Sequence, residues 1–205
     1  MTELDEMAKG AFQEAGNIGM GHLATSLSKM VNRDVKINIP VVEMLTLDEI
    51  IARSNEEGKN KSVVGIHLHM SGDVNAGTLI LFPKFSALSF SDLLMKKSIG
   101  TTTKIEEQQI RKLREMGVNL CSSYMRVVNE FLGINLKIGD PSIEVNMDGV
   151  SDFISAEIGN LADQFVVVKG ECRIPSTNSK NEFNMLFEPG ATDIIMAAIM
   201  KKMMG

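Results

Sequence analysis

The sequence predicts an α+β fold: an antiparallel sheet built from two similar halves, with two long helices packed side by side on one face. Three observations predict it. The chain matches itself at an offset of 101 residues, which sets Glu14 on Glu115, Gly16 on Gly117, Lys36 on Lys137, Ile37 on Ile138 and Pro40 on Pro141. Each half opens with a long run of apolar residues at helical spacing. Each closes with a hairpin ending in Leu81-Phe82-Pro83 or Leu186-Phe187-Glu188-Pro189, and then a helix that carries Met-Lys-Lys. A period of about 100 residues exceeds the ~20–50 of a solenoid unit. The chain therefore reads as one domain, 1–205, made of two repeats, about 5–100 and 105–204, related by a pseudo-two-fold axis.

The elements follow in order. Residues 5–32 place Ala8, Phe12, Ala15, Leu23, Leu27 and Met30 on one helical face, and Asn32-Arg33-Asp34 stops the helix. Residues 35–44 alternate as a strand, with Pro40 tolerable only at an edge or a bulge. Thr46 and Glu49 form a capping box for a short helix over 46–53, and Asn55 to Lys61 is a polar loop. Val63–Met70 and Thr78–Phe82 make a hairpin around Ser71-Gly72-Asp73, and 84–97 is an amphipathic helix after Pro83. In the second half, 105–132 is helical, 134–139 and 142–147 are extended, and 150–160 is a turn or short helix. Val166–Ile174 with Glu182–Phe187 is a hairpin, and 191–204 is helical. Met196, Met200, Met203 and Met204 in that last helix need a covering surface.

Composition excludes several function classes. A net charge of −5 with no Lys/Arg block argues against a nucleic-acid surface. No apolar run approaches the ~20 residues of a membrane span. The acidic start Met1-Thr2-Glu3-Leu4-Asp5-Glu6 is not a secretory signal, and two cysteines without CxxC spacing fit a reducing, cytoplasmic setting. Gly16, Gly19 and Gly21 lie inside a helical pattern without a preceding strand, which argues against a phosphate loop. His67 and His69 share a strand face but lack the further ligands of a metal site, and His22 reads as a packing or capping residue on the first helix. No Ser/His/Asp or Cys/His arrangement supports a covalent hydrolase, and Cys121 reads as a small buried hydrophobe.

Chemistry points instead to the polar side of the first helix. Gly10, Glu14, Asn17, Gly21, Ala24 and Ser28 are three or four residues apart and share one stripe, opposite the apolar one. Gly10 and Gly21 each cost about 1 kcal/mol relative to Ala in a helix interior, a cost that close approach of another surface would explain. An outward Glu and Asn are ordinarily a solvated face. What distinguishes this pair is the recurrence of Glu-x-Gly and a distant proline at the same spacing around Glu115, with Val118 in place of the asparagine. The matching spelling Glu157-Ile158-Gly159-Asn160 has Phe183 where the proline should be and reads as a chance match.

The block Gln13-Glu14-Ala15-Gly16-Asn17-Ile18-Gly19-Met20-Gly21, with Pro40 after 22 intervening residues, resembles the first signature of the CheC family of chemotaxis phosphatases (CheC-, CheX- and FliY-like proteins). Leu113-Arg114-Glu115-Met116-Gly117, Phe131-Leu132-Gly133 and Pro141 resemble the second. The family pattern is Asp or Ser, three residues, Glu, two residues, Asn, 22 residues, Pro. The resemblance implies dephosphorylation of phosphorylated CheY, a response regulator that itself supplies the aspartyl phosphate and the magnesium, so that no cofactor is expected in this chain. It implies that Asn17 orients the attacking water and that Glu14 pairs with a regulator lysine. Such work is positioning and charge stabilisation, which an amide on a rigid element can provide.

The chain departs from that pattern at three places. Gly10 and Arg111 stand at the Asp/Ser positions, and Val118 stands at the second asparagine. Valine cannot orient water, so the second site, Glu115 with Val118, is expected to be catalytically dead. Asn119 lies ~100° further round, towards the apolar stripe of Met116, Leu120 and Val127, and is not expected to substitute. The stripe of Arg111, Glu115, Val118, Ser122 and Met125 reads either as drift after loss of activity or as a partner-binding patch. The alternative to a phosphatase is an adaptor that binds CheD, the receptor deamidase partner of the family, or CheY, without much hydrolysis.

Overall fold

The computed structural model describes residues 4–55, 62–146, 148–177 and 179–204; the polar loop expected up to Lys61 lies, from residue 56 on, outside them. Helix α1, Glu6–Val31, begins where the Asp5 carboxylate accepts the Ala8 N–H at 2.7 Å and ends on Asn32 in the left-handed region. Its counterpart α4, Glu107–Leu132, begins with a capping box between Glu106 and Gln109 and ends on left-handed Gly133. Both helices are 26 residues long, close to the expected spans.

The other elements are β1 (Lys36–Ile37), β2 (Val41–Thr46), α2 (Leu47–Asn55), β3 (Ser62–Gly72), β4 (Ala76–Pro83), α3 (Lys84–Leu94), β5 (Leu136–Val145), α5 (Ser151–Ile158), β6 (Gln164–Ile174), β7 (Ser179–Phe187) and α6 (Ala191–Met204). The strands form one antiparallel sheet in the order β1–β6–β7–β4–β3–β5, with β2 continuing the β1 edge against β6. Exchanging the halves maps β2 on β5, β3 on β6 and β4 on β7, and leaves that order unchanged when read backwards. Each half thus lends its edge strand to the hairpin of the other, and the β4–β7 pair joins them at the centre.

Two layers cover the sheet. On one face α1 and α4 pack side by side, as expected, over a core that includes Phe12, Leu23, Ile66, Leu120, Tyr124 and Met185. On the other, α2 and α5 cover a second cluster around Leu45, Leu79, Ile154 and Phe165. The Thr46–Glu49 capping box opens α2: the Glu49 N–H donates to Thr46 Oγ1 at 3.2 Å, and the Thr46 N–H donates to Glu49 Oε2 at 2.8 Å.

Three expectations need correction. The strand expected over 35–44 is split, because Ile37 stands opposite Cys172 but Val41 opposite Lys169, so four residues run past three and Pro40 sits in the bulge. The two extended pieces expected around Pro141 are instead one strand, β5, with Pro141 opposite Leu68; β5 is an edge strand, where proline is tolerated. Helix α3 stops at Leu94 rather than 97 and is largely buried rather than amphipathic, down to Ser86, Ser89, Ser91 and Asp92. The Asp92 carboxylate accepts the N–H groups of Gly100, Thr101 and Thr102 at 2.8, 3.0 and 2.9 Å, which ties the joint between the halves to α3. In α6, Ile195 is buried while Met200 is exposed; the side chains of Met203 and Met204 lie outside those described.

Candidate functional site

Helix α1 holds Glu14 and Asn17 on its solvent side. Both are exposed, and neither side chain has a hydrogen-bond or ion-pair partner among the described residues. The backbone beneath them is held tightly by two glycines the motif contains. A Cβ on Gly19 would lie 2.4 Å from the Tyr124 ring of α4, and one on Gly16 would lie 2.7 Å from Val168 of β6 and 3.4 Å from Pro40. Glycine at these positions lets α1 sit against α4 and the sheet with no side chain between them. Pro40 is buried against this helix, and its carbonyl accepts the Gln13 amide at 3.0 Å. The motif's glycine and proline therefore fix the height and rotation of the helix turn that presents Glu14 and Asn17. Gly10 and Gly21 differ: a Cβ on either meets nothing within 4 Å, so nothing among the described residues explains them.

The second face, on α4, is arranged otherwise. Glu115 is exposed but receives the Lys112 ammonium at 2.7 Å, and this hydrogen bond holds its carboxyl below the ordinary carboxylate range. Val118 is half-buried and packs against the main core. Arg111 and Ser122 are exposed, whereas Met125, expected on that surface, is buried. Asn119, expected to turn inward, is exposed. Leu113, Gly117, Cys121, Tyr124, Met125 and Val128 widen the buried arc on the far side of the helix, so its centre lies away from Asn119. Glu115 and Asn119 are four residues apart, about 40° to one side, while Glu14 and Asn17 differ by about 60° to the other, so Asn119 does not restore the first site's arrangement.

The remaining candidates have structural surroundings. His67 is buried with its Nδ1 2.9 Å from Glu157 Oε2, while its Nε2 has no partner among the described residues; burial pushes its pKa below 6.5 against the opposing pull of Glu157. Glu157, whose motif spelling was set aside, thus belongs to the docking of α5 on β3. His69 and His22 are exposed. Cys121 is fully buried, with its thiol pushed up to about 12. Among the described residues no group of three His, Cys, Asp or Glu gathers as metal ligands, and no helix is long and apolar enough to cross a membrane. Sequence reading missed Gln13 and the Lys112–Glu115 pair. The i,i+3 spacing of the latter was visible as a signal, whereas the former depends on how β2 returns to α1.

Comparison with known proteins finds relatives in sequence and in fold. Residues 7–44, from α1 to β2, match the model of the CheC-like family. The CheY-P phosphatase CheC of Bacillus subtilis is 26% identical over 160 residues, 76% of this chain and 75% of that protein. The crystal structure of Thermotoga maritima FliY superimposes with a TM-score of 0.76 at 21% identity, over 97% of this chain and 98% of that one. A Borrelia burgdorferi CheX–CheY complex with beryllofluoride and magnesium matches with a TM-score of 0.58 at 14% identity, over 84% of this chain and 97% of that one. The two structures share the fold. The segment that matches the CheC-like family model is the one that carries Glu14, Asn17 and Pro40.

Proposed function

We propose that this CheC-like chain is a phosphatase of a phosphorylated CheY-type response regulator, acting through one site, Glu14 and Asn17. The observation that carries the reading is an exposed carboxylate and amide, without a partner among the described residues, side by side on a helix whose turn is fixed by Gly16, Gly19 and Pro40. Docking places the Glu14 carboxylate on a cationic group of the regulator. The Asn17 amide accepts a hydrogen bond from one water and holds it in line with the phosphorus, so that the Asp–O–P bond breaks as water attacks and phosphate leaves. Magnesium belongs to the regulator in this scheme. The protein contributes position, and an amide on a rigid helix loses little further freedom when it binds.

The test separates the two roles. Glu14→Ala is expected to raise KM for the phosphorylated regulator about tenfold, the effect of one charge-assisted contact. Asn17→Ala is expected to lower kcat about 100-fold with KM little changed, the effect of losing one preorganised polar group at the reacting atoms. Unchanged kinetics in both variants would refute the assignment.

A second reading is an adaptor that binds CheD or CheY with little hydrolysis. It draws on the α4 face, where Lys112 occupies Glu115 and Val118 is packed into the core. Tight binding of either protein by a wild-type chain that leaves phosphorylated CheY intact would favour it over the phosphatase.

A further inference from the structure

Helices α1 and α3 both close on a residue in the left-handed region, Asn32 after α1 (φ 51°) and Lys96 after α3 (φ 57°). In each case the next residue folds back on the helix. The Arg33 N–H donates to the Ser28 carbonyl at 3.3 Å, and the Lys97 N–H to the Asp92 carbonyl at 2.8 Å, the pattern of a Schellman turn. The left-handed position of that turn ordinarily belongs to glycine or asparagine, because a Cβ there crowds the backbone. Asn32 follows this rule and Lys96 departs from it. Lys96 carries a steric cost that glycine would avoid, and what it adds is an ammonium group.

That ammonium belongs to a cluster. Lys29 and Arg33, from the end of α1, and Lys96 and Lys97, from the end of α3, line one open groove of about 500 Å³. All four are exposed, and none forms an ion pair among the described residues; Arg33 donates only to the Asn32 carbonyl, at 2.8 Å. A helix C-terminus carries roughly half a negative charge, so the two ends together offset about one of the four cations. The excess stands out in a chain of net charge −5. The fold does not demand it. At an offset of 101 residues, Glu130, Gly133 and Ile134 take the places of Lys29, Asn32 and Arg33, and α4 closes with the same left-handed turn, its Ile134 N–H on the Asn129 carbonyl at 3.2 Å.

We propose that this groove binds a soluble, multiply charged phosphate anion, a phosphate ester or a polyphosphate. Three of its four cations are lysines, compact point charges with rotatable donors, which suit an anion with several charges close together better than they suit one planar carboxylate. No aromatic ring lines the groove, so recognition falls on the phosphate rather than on a base. Lys29 is twelve residues from Asn17, about 18 Å along α1, so this site is separate from the candidate reaction site and does not depend on it.

The test titrates the full chain with inorganic tripolyphosphate by calorimetry at low salt. Lys96→Gly is expected to raise Kd about tenfold, the effect of one charge-assisted contact, while the thermal midpoint stays at or above that of the wild type, because glycine fits the left-handed turn. A purely structural lysine would give no change in Kd. Lys29→Gln should weaken binding by a similar factor. Lys9→Gln, about 30 Å from Lys29 along the same helix, should alter Kd less than twofold. Raising the ionic strength from about 0.01 M to 0.15 M should weaken wild-type binding. Absence of binding by the wild type, or equal Kd in Lys96→Gly and wild type, would overturn the site. Two further probes identify the anion. Tighter binding of a hexaglutamate peptide would make the groove a seat for an acidic protein segment, and capture by phosphatidylglycerol vesicles without binding of free tripolyphosphate would make it a membrane contact; either result contradicts a soluble phosphate ligand.

Discussion

Asn17 and Val118 stand at equivalent positions of the repeat, yet their surroundings differ as much as their chemistry. Asn17 is exposed above a close-packed turn, whereas Val118 is half-buried in the core and its neighbour Glu115 is held by Lys112. Val118→Asn alone should therefore restore little, since the carboxylate beside it is engaged; Val118→Asn with Lys112→Ala is expected to hydrolyse faster than the wild type. A regulator decay assay on both variants checks this, and equal rates would show that the α4 face lacks more than an amide. At the same scale, Gly19→Ala would drive a methyl into the fully buried Tyr124 ring, which cannot move aside. It is expected to destabilise the fold by about 1–3 kcal/mol in urea unfolding, the usual range for overpacking. Glu14 and Pro40 stood out because they repeat at fixed spacing, and Asn17 because it completes the motif around Glu14. The outward turn of Asn119 did not, because the buried arc of α4 is widened by Gly117, Cys121 and Met125, residues whose burial depends on how α1 and β3 approach.

At the scale of elements, the caps and apolar periodicity that set α1 and α4 are local, and they were read to within two residues. Strand continuity was harder, because prolines at 40 and 141 both lie beside a register shift, but only the first splits its strand in two. Pairing partners decide that, and they lie more than a hundred residues away for β2 on β6. The joint between the halves depends on one side chain. Asp92 is completely buried and accepts three backbone N–H groups from residues 100–102. Asp92→Ala would leave those donors without partners, and a loss of about 2–4 kcal/mol is expected from chemical denaturation. A change below 0.5 kcal/mol would mean that water replaces the carboxylate without cost.

For the whole molecule, the sheet order reads the same when the halves are exchanged, so the two long helices come together over a shared centre while α2 and α5 close the opposite face. That second layer carries the His67–Glu157 contact. His67 has a depressed pKa in the folded chain, with burial the leading cause, so unfolding takes up a proton below the ordinary imidazole value of 6.5. The stability this histidine contributes is complete above that pH and falls as the solution is acidified through and below it. Wild type is expected to lose more of its thermal midpoint between pH 7 and pH 5 than His67→Gln, and parallel curves would contradict the assignment. The proposed site, Glu14 and Asn17, lies on the other face, and one assay reaches it most directly: decay of phosphorylated CheY-type regulator with wild-type chain and with Asn17→Ala. The account expects acceleration by the wild type and decay at the regulator's own rate with the variant, the fold intact in both. Equal acceleration by the two would show that the reaction does not pass through Asn17.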